Sequence, residues 1–170
     1  MNKYLFLDFD GVLNTARYAK LLRKEGLDPI DAFGPMFDPM AIDNLRNIVE
    51  QTGCEIVLSS TWRNEGLMQM RALWKDRNLP GELFSMTPIL LSATYRDAQS
   101  GEMFGMAERY AKALEINAWL QRHASGTSQY VILDDENVFF QSQQEHLVQT
   151  NENDGLTAQK AMVAIDVLNH

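Results

Sequence analysis

Cysteine is nearly missing from this chain of 170 residues: Cys54 stands alone, so no intrachain disulfide can form. A lone thiol suits a reducing compartment, and beside an apolar run it reads as a small buried residue rather than a reactive one. Positive charge is also short, with 15 Lys and Arg against 23 Asp and Glu and a formal net charge of −8. That balance argues against a broad electrostatic footprint on nucleic acid, while a local basic pocket is still allowed. No apolar stretch is long enough to span a bilayer, and the N-terminus lacks a basic segment followed by a signal-length apolar one. The expected protein is soluble and cytoplasmic, with no membrane partner. The histidines His123, His146 and His170 show no metal-ligand spacing, which argues against zinc. Repeats and low-complexity tracts are absent, so solenoids and long disordered tails are set aside.

What is present fits a single domain over 1–170, long enough to bury a core of its own. Residues 4–7 form an apolar run that continues into Asp8, Phe9, Asp10 and Gly11. Such a run, ended by glycine, reads as a strand buried on both faces. Residues two apart on an extended chain share a side, so Asp8 and Asp10 are expected to converge past the strand end. Carboxylates that close repel each other unless a cation or a shared proton relieves them.

Strands and helices alternate from there. Residues 15–24 look helical, within an irregular insertion over 14–37 that runs through Gly34 and Pro35. Asp38 and Pro39 read as an N-cap and first helical residue, and Ala41, Leu45, Ile48 and Val49 keep helical spacing until Gly53. Residues 55–58 form a second strand that opens into a polar loop, Ser59 to Arg63. Asn64 is the expected cap of a helix with Leu67, Met70 and Trp74 on one face. Residues 82–86 read as a weaker strand, and 87–105 has no clear period, as functional loops often do not. A helix over 107–123, a strand over 130–133 ending at Asp134 and Asp135, a strand near Leu147 and Val148, and a helix capped by Thr157 complete the chain. Alternation of this kind predicts an α/β fold with a mainly parallel sheet, whose ligands bind beyond the carboxyl ends of the strands. Asp8 and Asp10, Ser59 and Ser60, and Asp134 and Asp135 all fall at such ends.

The Asp-x-Asp-Gly-Val-Leu phrase after an apolar strand resembles the first motif of the haloacid dehalogenase-like (HAD) phosphohydrolase superfamily. The resemblance implies a Rossmann-like three-layer sandwich, with Asp8 as the nucleophile that accepts a phosphoryl group and Asp10 as general acid and base. Ser59 in IVLSSTWR looks like the second motif, in which a strand-end hydroxyl holds the phosphoryl group. Ser60 is the alternative, and Ser59 is favoured because it directly follows the apolar run. Lys112 sits where the third motif places a lysine, and Asp134 and Asp135 look like the fourth, whose acids help hold Mg²⁺. Mg²⁺ prefers hard oxygen ligands, which suits Asp8, these acids and a backbone carbonyl from Asp10.

Arg63 has two readings, a bidentate grip on a phosphate or a pair with a surface acid. Trp62 reads as a core or rim aromatic, with stacking on a base or sugar as the alternative. Tyr95, Arg96 and Arg109 are further candidates to face substrate. The phrases VLSSTWR, EINAWL, YVILDD and LVQTNENDGLT resemble, more closely, small HAD proteins related to the phosphatase-like domain of multidomain RNA-repair proteins. Only 14–37 and 87–105 can serve as cap insertions, so the cap is minimal. The resulting expectation is a Mg²⁺-dependent phosphomonoester phosphatase acting on a small phosphorylated metabolite or nucleotide. A nucleic-acid 3′- or 5′-end phosphatase and a phosphate-binding regulatory module without turnover are the alternatives.

Overall fold

The computed structural model describes residues 2–90, 94–96, 103–105, 110–124, 126 and 128–170, with backbone alone for 94–96 and 103–105. In chain order the elements are β1 (Lys3–Leu7), α1 (Ala16–Lys24), β2 (Ile30–Asp31), β3 (Gly34–Pro35), α2 (Pro39–Thr52), β4 (Glu55–Leu58) and α3 (Leu67–Asp76). They continue with β5 (Leu83–Met86), β6 (Thr94–Arg96), β7 (Met103–Gly105), α4 (Ala111–His123), β8 (Gln129–Asp134), β9 (Leu147–Gln149) and α5 (Ala158–Asn169).

β1 lies at the centre of a five-stranded parallel sheet of order β5-β4-β1-β8-β9. Its apolar run explains that place, because both of its faces are covered. Leu5 and Leu7 join Ile56, Leu58, Val131 and Leu133 on the face packed by α2, α3 and α5. Tyr4 and Phe6 join Val57 and Ile132 on the other face, against Ala113, Ile116 and Trp119 of α4. The result is the three-layer α/β sandwich expected from the alternation of elements. Trp119 meets Tyr4 and Phe6 edge to face, at 4.9 and 5.4 Å between ring centres, which seats α4 on the sheet. Successive strands run outward from β1 through β4 to β5, then jump back across it to β8. The order therefore reverses between β1 and β8, and a crevice opens at such a point.

The helix boundaries follow local chemistry. Asp38 accepts a hydrogen bond from the Met40 amide at 2.9 Å, Pro39 fills the first position of α2, and Gly53 ends it at φ 64°. Thr15 and Thr157 cap α1 and α5 in the same way. Asn64 does not cap α3. Residues Thr61–Glu65 form a 3₁₀ turn, and Gly66, at φ 91°, takes the cap position with no side-chain bond. A positive φ is needed to leave that turn, and glycine adopts it without the steric cost Asn would meet.

The insertion and the aperiodic stretch each hold a short antiparallel ribbon, β2 with β3 and β6 with β7. The first is tied to the body by Arg77, which donates to Asp31 at 2.6 and 3.1 Å and to the Gly34 and Pro35 carbonyls at 3.1 and 2.9 Å. Its guanidinium also lies 4.2 Å from the centre of the Phe37 ring. The start of the helix expected over 107–123 falls partly outside the described residues, within which α4 begins at Ala111. Among the described residues no helix is long and apolar enough to cross a membrane.

Candidate active site

Asp8 extends β1 by one residue, its amide donating to the Leu133 carbonyl at 3.0 Å. The side chain is buried: Oδ1 accepts from the Phe9 amide at 2.7 Å, and Oδ2 accepts from Lys112 Nζ at 2.5 Å. Lys112 stands in the first turn of α4, which Trp119 anchors over the sheet, so its ammonium reaches the strand ends from above. It also donates to Asp134 Oδ2 at 2.8 Å and lies 3.5 Å from Glu136 Oε2. Asp134 closes β8 with no exposed surface at all, and its Oδ1 accepts from the Glu136 amide. Asp135, half-buried, completes a group with Asp8 and Asp134 in which the carboxylate oxygens lie within 4.8 Å of one another. Gly11 makes this packing possible: at φ 65° it passes so close to Asp135 that a Cβ would stand 2.7 Å from that residue's own Cβ.

Charge in this group does not balance. Burial works against the Lys112 ammonium, yet Asp8 and Asp134 together hold its pKa above the ordinary value. Burial and then Asp8 push Asp134 up to about 7, and the same two causes raise Asp135. Among the described residues, one ammonium thus serves three close acids, and positive charge falls short of negative. Hard oxygen donors this near to each other and short of a cation fit Mg²⁺.

Ser59 lies level with Asp8 on the neighbouring strand, its amide donating to the Leu7 carbonyl at 2.9 Å. Its hydroxyl is buried and has no hydrogen-bond partner among the described residues. The Ser60 hydroxyl is engaged instead with the Trp62 amide, at 3.4 Å, as cap of the 3₁₀ turn. Of the two serines, Ser59 has the hydroxyl free to take a ligand.

Two readings from sequence need correction. Asp10 does not converge with Asp8: its exposed carboxylate accepts from Asn14 Nδ2 at 2.7 Å and from Trp62 Nε1 at 3.0 Å. Side-chain alternation holds only while the chain is extended, and here the amides of Val12, Leu13 and Asn14 all turn back to the Phe9 carbonyl. The Asp10 carboxylate accordingly stands outside the group of three acids. Arg63 does have an acidic partner, but not at the surface. It is buried, its Nη2 paired with Glu115 of α4 and its Nη1 donating to the Ser59 and Ser60 carbonyls at 3.1 and 2.8 Å. Both Nη groups are thereby engaged within the protein, leaving Arg63 to hold the loop rather than to grip a phosphate.

Trp62 is a rim aromatic, 5.5 Å from Phe9 between ring centres, and at the same time the indole that holds Asp10. Asn14, Glu115 and Glu136 were not evident from sequence. A weak signal existed for two of them, since Glu115 follows Lys112 by one helical turn and Asn14 lies one tight turn beyond Asp10. Arg109 and the side chains of Tyr95 and Arg96 lie outside the described residues.

No curated protein and no solved structure matches the chain. A family model described as the HAD domain in Swiss Army Knife RNA repair proteins matches residues 4–161, a span that takes in Asp8, Asp10, Ser59, Lys112, Asp134 and Asp135. With that match over nearly its whole length and a sheet that reverses at Asp8, the chain belongs to this phosphatase-like HAD domain family.

Proposed function

We propose that the chain hydrolyses a small phosphomonoester, with Mg²⁺ bound, through an aspartyl-phosphate on Asp8. The observation that supports this most is Lys112 Nζ lying between Asp8 and Asp134 at the point where the strand order reverses. Mg²⁺ held by Asp8, Asp134, Asp135 and the Asp10 carbonyl would neutralise charge on the phosphoryl oxygens. Lys112 adds a fixed positive charge, and Ser59 donates its unpartnered hydroxyl to a phosphoryl oxygen. The Asp8 carboxylate attacks phosphorus, the ester P–O bond breaks, and Asp10 gives its proton to the leaving oxygen. Asp10 then takes a proton from water as that water attacks phosphorus, releasing inorganic phosphate and restoring Asp8.

Hydrolysis of phenyl phosphate tests the reading: turnover is expected with Mg²⁺ and none in excess chelator. Asp134→Asn is expected to raise the Mg²⁺ concentration for half-maximal rate by at least about tenfold. Full activity without metal would overturn the proposal. The two serines separate cleanly. Ser59→Ala removes no bond made within the described residues, so melting should move little while kcat/KM falls by about tenfold or more, as for a lost hydrogen bond to a charged group. Ser60→Ala removes a cap and is expected to lower stability by about 1 kcal/mol. The reverse pattern, a Ser59 variant that melts early but turns over normally, would place the phosphoryl group elsewhere.

The family description favours a second reading, removal of phosphate from an RNA end. Against it stand the net charge of −8 and the engagement of both Lys112 and Arg63 with buried acids. Long nucleic acid needs several unpaired cations along its path.

A further inference from the structure

A cavity of about 510 Å³ opens beside Asp10 rather than beside Asp8, within the size range of ligand pockets. Asp10, Phe33, Trp62, Asn64, Glu65 and Gln69 are among its lining residues. The ribbon of β2 and β3 brings Phe33 to it. Arg77 fixes that ribbon, and Gly34 comes so near the Trp62 ring that a Cβ would stand 3.0 Å from Cη2. Trp62 also holds Asp10 Oδ2 through its indole nitrogen, so the proton donor and an aromatic wall share one cavity.

The lining chemistry is selective. Among the described lining residues, the charged ones are Asp10 and Glu65, both acidic, and no lysine or arginine is present. Arg77 lies near but is engaged with Asp31 and two carbonyls. Two aromatic rings offer apolar surface for a planar group, while the amides of Asn64 and Gln69 offer both donors and acceptors. A further phosphate placed here would face carboxylates with no cation among the described lining residues to offset it.

Building on the phosphatase reading above, we propose that this cavity is the leaving-group subsite, and that it takes the nucleoside of a mononucleotide while rejecting leaving groups that carry another phosphate. The leaving oxygen then emerges beside Asp10, which protonates it. The base lies against Phe33 and Trp62, and the ribose hydroxyls meet Asn64, Glu65 and Gln69.

The test compares kcat/KM for adenosine 5′-monophosphate, adenosine 3′,5′-bisphosphate, glucose 6-phosphate, acetyl phosphate and phenyl phosphate, with Mg²⁺ present. The mononucleotide is expected to exceed the bisphosphate by about tenfold or more, from like-charge repulsion. It should also exceed glucose 6-phosphate by about tenfold, from stacking of the base. Glu65→Lys should bring the bisphosphate to within about threefold of the mononucleotide by removing that repulsion. Gln69→Trp fills the cavity and should lower the ratio of mononucleotide to acetyl phosphate by about tenfold. Equal use of mono- and bisphosphate, faster turnover of the hexose phosphate, or ratios unmoved in both variants would overturn the subsite while phenyl phosphate is still hydrolysed. Absence of phenyl phosphate hydrolysis would overturn the phosphatase reading itself, and this subsite with it.

Discussion

Asp8→Asn is expected to lower turnover by about 10⁴-fold or more, the scale seen when a catalytic nucleophile is removed, without loss of fold. The amide keeps the shape of the carboxylate but has one acceptor oxygen where Asp8 has two, so it can still accept from the Phe9 amide while its NH2 gives up the bond that Asp8 Oδ2 takes from Lys112. It cannot form an acyl phosphate at neutral pH. Stability should change little in the metal-free protein: the bond from Lys112 to Asp8 is lost, but so is a negative charge that helps push the Asp134 carboxyl up. Lys112 keeps Asp134 as a partner. Asp10→Asn should also be crippled, but for a different reason: Asp8 still accepts the phosphoryl group, while water is no longer activated. Intact-mass measurement after rapid quench should therefore find the phosphorylated chain in the Asp10 variant and never in the Asp8 variant. A well-folded Asp8→Asn protein with normal turnover, or an adduct on another residue, would remove covalent catalysis at Asp8.

The parts of this site that were legible in sequence are those written in local chemistry. The apolar run before Asp8 marks β1 as a strand covered on both faces, as it is at the centre of the sheet, and Asp8 follows at its end where the strand order reverses. Asp38, Pro39 and Gly53 bound α2 through backbone needs that only a few residue types meet. What sequence could not supply depends on partners distant along the chain. The indole of Trp62 meets a carboxylate 52 positions away, and Arg77 fixes a ribbon through Asp31, 46 positions away. Strands of two residues such as β2 and β3 carry no period to detect, and their order comes from that arginine. Asn64 fails as a cap for a local reason instead, since the 3₁₀ turn it belongs to puts the need for positive φ onto Gly66. The favoured choice of Ser59 over Ser60 rested on position after the strand. The structure adds the physical distinction, a free hydroxyl against one already engaged.

The pair of Arg63 and Glu115 carries the largest expected effect on stability. Both side chains are buried, and burial raises the Glu115 pKa even against the adjacent guanidinium, so each charge depends on the other. Arg63→Met leaves that carboxylate desolvated without a cation, and Glu115→Leu leaves the guanidinium in the same condition. Each is expected to cost about 3–5 kcal/mol in chemical denaturation. The double variant removes both charges together, and apolar replacement of a buried pair is often close to neutral, so most of the loss should be recovered. Activity should not recover with it. Arg63 also holds the Ser59 and Ser60 carbonyls, and Glu115 stands one turn along α4 from Lys112, so the pair ties the phosphoryl-binding loop to the helix that carries the lysine. Without that tie Ser59 and Lys112 lose their shared register, and kcat/KM of the refolded double variant should stay at least about a hundredfold low, as for misplacement of catalytic groups by about 1 Å. Recovery of both stability and turnover in the double variant would reduce the pair to a fold element. A single Arg63→Met protein as stable as the parent would mean that Glu115 is not held as a buried anion.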